Sequence, residues 1–253
     1  MKFFYSFKGY RFKHYVIILV AALFSSILLY VEKDQLAVFS TDQGPRAIDS
    51  VETKEKKVAL TFDISWGEKR AIPILNLLKK YKINETTFFL SGSWAERHPE
   101  IVERIAKDGH EIGNLGFQYE HYTNLETDQI SKDIQLSDVV LKELTNKKPT
   151  LLRPPNGSFD ERVLTVAEKF NYTVVHWSVN SEDWKNPGTD QIVKNVVKKT
   201  EGGDIVLFHA SDSAKQTEKA LPQIIEHFQK EGFRFVTVSE LIANSETKSE
   251  EIK

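Results

Sequence analysis

The stretch KKVALTFDISWGEKR, Lys56–Arg70, decides how the chain is read. Within it, Val58–Phe62 is a short apolar and β-branched run, the pattern of a strand buried on both faces. Asp63 stands where that strand runs out, followed by Ile64 and a loop. A carboxylate at the end of a buried strand is either a cap or part of a site. Similar runs at Thr86–Leu90, His110–Gly113, Leu151–Arg153, Thr173–Val179, Asp204–His209 and Phe233–Val238 predict six further strands. Between them, apolar residues spaced by three and four predict helices, as in Ile72/Leu75/Leu78, Ile101/Ile105, Val163/Val166/Phe170 and Ile224/Ile225/Phe228. Thr189 is the expected N-cap of the helix in TDQIVKNVVKK.

Seven strands alternating with helices predict a parallel β/α architecture. An open doubly wound sheet and a closed barrel fit that alternation equally well. No G-x-G-x-x-G or Walker sequence follows any strand, which weighs against a nucleotide-binding sheet. Asp63, Arg153 and His209 each sit where a predicted strand ends, and NSEDW, Asn180–Trp184, follows a fourth. In a β/α barrel such ends gather on one rim, where catalytic groups are built. The expected fold is therefore α/β, a distorted (β/α) barrel of about seven strands.

The net charge of −2 gives no electrostatic reason to expect nucleic acid as a partner. With no cysteine, disulfides, thiolate metal ligands and cysteine nucleophiles are excluded. Lys2, Lys8, Arg11 and Lys13 precede Tyr15–Val31, a run without charge that is long enough for a short membrane span. The basic flank predicts a cytoplasmic N-terminus, a single-pass anchor through this one transmembrane helix, and an extracytoplasmic remainder. A cleaved signal peptide is the rival reading, but the run ends LLYVEKD rather than in an A-x-A-like site. The expected organisation is an anchor over 1–31, a polar tether over 32–55, a folded domain over 56–244 and a frayed charged tail over 245–253.

Five motifs, TFDIS, GHEIGN, RPPNG, SEDW and IVLFHA, occur from Val58 to about Leu241. In order and spacing they resemble the polysaccharide deacetylases of the NodB-homology type. The anchored layout is similar to that of the sporulation-associated, membrane-bound branch of this family in Bacillus. The resemblance implies a distorted (β/α) barrel that removes N- or O-acetyl groups from glycans such as peptidoglycan. It also implies roles: Asp63 as general base, Arg153 as the group orienting it, His209 as general acid and Asp183 as the carboxylate tuning that histidine. Trp184, with Pro155 and Asn156, would line the substrate groove. Taken singly, Asp63 could be a cap, Arg153 a rim ion pair and His209 a satisfied core histidine. As a set at successive strand ends, they point to a site.

The family's metal, usually zinc, polarises the acetyl carbonyl and a bound water. Its three ligand positions are occupied here by Ile64, Leu115 and Tyr119, and neither Ile64 nor Leu115 can coordinate zinc. Glu120, His121 and His110 are the remaining candidates for a displaced site. No cofactor is therefore expected, and zinc only if such a site exists. The expected function is that of a cell-wall or spore-envelope member of the family, acting on peptidoglycan or a related glycan and weak or inactive in catalysis. The alternatives are a non-catalytic glycan-binding protein using Trp184 and Trp66, and a metal-independent acid/base hydrolase in the same groove.

Overall fold

The computed structural model describes residues 46–243 and the backbone of 246–250. Tyr15–Val31 lies outside the described residues, among which no helix is long and apolar enough to cross a membrane. Ten strands and eight helices alternate along the described chain. The strands are β1 (Ala47–Glu52), β2 (Lys57–Ile64), β3 (Thr87–Leu90), β4 (Glu111–Asn114), β5 (Leu151–Leu152), β6 (Thr173–Val175), β7 (Val179–Asn180), β8 (Ile205–His209), β9 (Arg234–Phe235) and β10 (Glu246–Glu250). The helices are α1 (Ala71–Lys80), α2 (Gly92–Arg97), α3 (Pro99–Lys107), α4 (Thr127–Thr145), α5 (Glu161–Lys169), α6 (Thr189–Val197), α7 (Thr217–Lys230) and α8 (Val238–Ile242).

The strand order is β10-β1-β6-β5-β4-β3-β2-β8-β7, with β9 added to β2. All pairings are parallel except that of β10 on β1. The sheet curls into a half-barrel but does not close, which corrects the expectation of a barrel. Thr173–Val179 is the reason: it is two strands rather than one. The His176 amide still bonds the Ile48 carbonyl (2.7 Å), yet two residues later the Ser178 amide bonds Ile205 (3.1 Å). The chain thus changes partner from β1 to β8 within residues 176–178, passing from β6, inside the sheet, to the edge strand β7. Two further expectations are corrected at the termini. The assigned tether, 32–55, contains β1, and the tail expected to fray contributes β10, paired along β1.

Period-2 alternation divides the residues of the central strands between two environments. Val58, Leu60, Phe62 and Ile64 of β2, Phe88 and Leu90 of β3, and Val206 and Phe208 of β8 join an apolar cluster with α1, α2, α3, α6 and α7. Register fixes a row of rings here: Phe62 pairs with Phe88 on one side and Phe208 on the other. Their ring centroids are 5.0 and 5.6 Å apart. The intervening residues face inward. The next row of the register is Phe89–Asp63–His209, so the pairing that stacks the phenylalanines also sets a carboxylate beside an imidazole.

Helix periodicity maps well, with Leu75 and Leu78 buried in α1, Ile101 and Ile105 in α3, Val163 and Val166 in α5, and Ile224, Ile225 and Phe228 in α7. Thr189 is instead the first helical residue of α6. Gly188 is the N-cap (φ 102°), a backbone region that a side chain disfavours, and its amide donates to Gln216. The loop before β8 is pinned in the same manner at Gly203 (φ 95°), whose carbonyl and amide bond Val51 and Lys57. A Cβ there would lie 2.1 Å from the Val51 carbonyl oxygen. Gly203→Ala should therefore cost about 2–3 kcal/mol, read as a lower urea midpoint at an unchanged slope.

Candidate active site

Asp63 and His209 come together because their strands are adjacent and in register. Each is held by a partner from elsewhere in the chain. Arg153, fully buried just after β5, donates to Asp63 Oδ1 (2.8 Å), Thr61 Oγ1 (2.9 Å) and the His176 carbonyl (3.0 Å). Its guanidinium lies 4.1 Å from the Phe89 ring centroid and 5.5 Å from that of Trp177. One side chain thereby ties β5 to β2 and to the crossing at residues 176–178.

His209 is oriented by Asp183, which is buried in the turn after β7. Asp183 Oδ1 faces His209 Nδ1 at 2.7 Å, while Oδ2 accepts from the His209 amide (2.8 Å) and from Thr217 Oγ1 (2.6 Å). A carboxylate accepts, so Nδ1 carries the proton and Nε2 is the nitrogen left for the groove. Burial pushes the His209 pKa down. The hydrogen bond and charge of Asp183, with the charge of Asp63, more than offset it, and the net shift is upward despite opposition from Arg153.

Asp63 and His209 open onto a groove of about 590 Å³ whose walls include Trp66, Tyr119, Asn156, Trp177, Trp184 and Leu207. Trp66 and Trp184 are the two large aromatics that remain about half exposed, 52% and 48%. The structure therefore brings together Asp63, Arg153, Asp183 and His209, with Asn156 and Trp184 on the groove wall. Pro155 is a correction: it is buried and does not line the groove. Sequence reading did not single out Leu207 or Trp177. Leu207 had a signal, since it alternates with Phe208 and so shares a face with His209. Trp177 had none, because it was read inside a continuous strand.

The residues at the metal-ligand positions do not fit a metal. Ile64 is fully buried in the outer apolar cluster and Leu115 is fully buried, so two positions present hydrocarbon withdrawn from the groove. Tyr119 alone of the three lines the groove. The candidates for displaced ligands are also dispersed. Glu120 and His121 are exposed and line no part of the groove. His110 sits before β4, at the opposite end of the strands, bonded to Thr86 Oγ1 (2.9 Å), and burial lowers its pKa to about 4. Among the described residues no three His, Cys, Asp or Glu side chains form a cluster able to hold a metal ion.

With this geometry in hand, comparison with known proteins is direct. The polysaccharide deacetylase family profile matches residues 50–175. A peptidoglycan-N-acetylglucosamine deacetylase of Bacillus cereus is 39% identical over 195 residues, 76% of this chain and 91% of that protein. The chain belongs to the polysaccharide deacetylase family. Among solved structures, a CE4 family pseudoenzyme from Bacillus anthracis is similar, with a TM-score of 0.73 and 30% identity over 78% of this chain and 69% of the other. A mutant of that pseudoenzyme with restored enzymatic activity matches with a TM-score of 0.74 and 31% identity, over 78% and 71% of the two chains.

Two measurements check the electrostatics of the site. Arg153→Met should cost about 3–5 kcal/mol in a urea melt, because it leaves the buried Asp63 without its counterion. The combined variant with Asp63→Asn should recover part of that loss. For His209 the folded pKa is raised, so its contribution to stability is complete below the unfolded value of about 6.5 and is lost as pH rises through the folded pKa. The stability difference between wild type and His209→Gln, measured from about pH 5 to about pH 9, should shrink with rising pH. Taking the difference cancels the opposite contributions of His110 and His176, both lowered to about 4 chiefly by burial.

Proposed function

We propose that this chain is a peptidoglycan-binding member of the family that has kept the proton-transfer groups of a deacetylase and lost its Lewis acid. One observation carries the reading. Asp63–Arg153 and Asp183–His209 are fully assembled, while two of the three ligand positions hold buried hydrocarbon. Asp63 can accept a proton and His209 can donate one, each held in place by a partner. Amide hydrolysis without metal forgoes several kcal/mol of transition-state stabilisation, which corresponds to a factor of about a thousand or more in rate. The likeness to a pseudoenzyme supports weak or absent turnover. The names of the curated relatives support peptidoglycan as the glycan.

The finer placement rests on the sequence. The basic flank and Tyr15–Val31 support a single-pass anchor with the domain on the cell-wall or spore-envelope side, as in the sporulation-associated PdaB-type branch. The pair of Asp63 and His209 supports a second reading, a metal-independent acid/base hydrolase acting on a glycan bond more labile than an amide.

Zinc and acetate test the proposal. The purified wild-type protein should retain no stoichiometric zinc after dialysis, show no zinc-dependent rise in melting temperature, and release no acetate from N-acetylated peptidoglycan fragments above background. Ile64→Asp/Leu115→His/Tyr119→His should bind zinc and gain about 2.7 kcal/mol at 100 times its dissociation constant. A mutant of the similar pseudoenzyme has restored enzymatic activity, which supports assaying the triple variant for acetate release as well. Stoichiometric zinc in the wild type, lost on replacing His121 or Glu120, would overturn the proposal in favour of a working metalloenzyme.

A further inference from the structure

Tyr119 is the one former ligand position that still faces the groove, and its backbone is strained. Its φ is 60°, in the left-handed region that a bulky residue seldom occupies. Such strain persists only where the surroundings enforce it. They do so here through the loop between β4 and α4. The buried Asp133 accepts from the amides of Phe117 (2.7 Å) and Gln118 (3.0 Å) and from the Tyr122 hydroxyl (2.8 Å). Asn114 Oδ1 accepts from the Gly116 amide (2.8 Å), and Gly116 itself has φ 73°. Four hydrogen bonds on this short segment fix the loop that presents the phenol.

The phenol oxygen has defined neighbours. Ser65, Asn156 and Asp63 line the same groove as Tyr119. A phenol hydroxyl has one proton to donate, and that of Tyr119 can be offered to a ligand in the groove. Burial and the Asp63 carboxylate both push its pKa up, against Arg153, Ser65 and Asn156, so the group remains a donor throughout the neutral range. The same corner is poorly suited to a cation. Asp63 is already paired with Arg153, and His209 is biased toward its protonated form.

We propose that the Tyr119 hydroxyl donates a hydrogen bond to the acyl carbonyl of an N-acetylated sugar in the groove, so that the protein selects acetylated over de-N-acetylated glycan. This rests on the glycan-groove reading above and deepens it. A carbonyl oxygen fits a corner furnished with a phenol donor beside the His209 imidazole, which Asp183 holds and biases toward its protonated form. The ammonium of a de-acetylated sugar meets that imidazole as a like charge, while the charge of the groove carboxylate, Asp63, is offset by Arg153.

The test is calorimetric titration of the full-length protein with tetra-N-acetylchitotetraose and with its fully de-N-acetylated counterpart. Wild type should bind the acetylated tetramer more tightly. Tyr119→Phe keeps the ring and removes the donor. It should weaken the acetylated tetramer about 3–10-fold, leave the de-acetylated one unchanged, and leave the melting temperature unchanged. Trp184→Ala should weaken both ligands together, because stacking does not read the acyl group. If Trp184→Ala weakens binding and Tyr119→Phe does not, the selectivity proposal falls and the groove stands. If wild type binds neither tetramer, or Trp184→Ala changes nothing, both fall.

Discussion

The guanidinium of Arg153 is the point on which the inner face is organised. It is fully buried, and its hydrogen bonds reach Asp63 and Thr61 on β2 and the crossing at His176. In a flat sheet β5 and β2 would be three strand spacings apart, about 14 Å, farther than an arginine side chain extends. The bond therefore exists only because the sheet curls. A cation so far from water needs its charge matched and its donors bonded; both terminal nitrogens of Arg153 are bonded, while its buried Nε has no partner. Asp63 supplies the charge, and the face of Phe89 adds cation–π contact. The half-barrel and the placement of Asp63 are thus one constraint viewed from two sides.

His209 repeats that logic at smaller scale. Asp183 arrives from the turn after β7, accepts three hydrogen bonds and fixes both the ring and its tautomer. Two carboxylates of one type consequently serve differently, one paired with an arginine and open to the groove, the other buried and committed to an imidazole. Asp63 is left facing the groove beside His209, while Asp183 is used to orient the ring. The assembly of Asp63–Arg153 and Asp183–His209 does not depend on the metal that the family resemblance implies.

Substitution at the ligand positions has altered the site unevenly. Ile64 and Leu115 have turned into core, where they add apolar burial and offer a ligand nothing. Tyr119 has remained in the groove with a hydroxyl. On the proposed reading, the position that would hold a Lewis acid instead offers a neutral donor, which suits recognition of an acyl group better than attack on it.

Much of this was legible in the chain itself. Apolar runs and helical spacing located six strands closely and the main helices, because burial on both faces leaves a continuous hydrophobic signature. Asp63, Arg153, Asp183 and His209 were legible as residues at strand ends, and the loss of ligand chemistry at Ile64 and Leu115 follows from side-chain type alone. The edges were not legible. β10 is a polar edge strand, which need not be apolar, while β1, between β10 and β6, mixes apolar and polar residues (AIDSVE) too briefly to stand out, and both pair non-locally. The split of Thr173–Val179 escaped notice because both halves are apolar and only the change of partner at 176–178 separates them. Burial of Pro155, exposure of His121 and the left-handed Tyr119 likewise depend on how distant segments meet. Sequence periodicity sets which face a residue occupies, whereas register and curl decide which residues it faces.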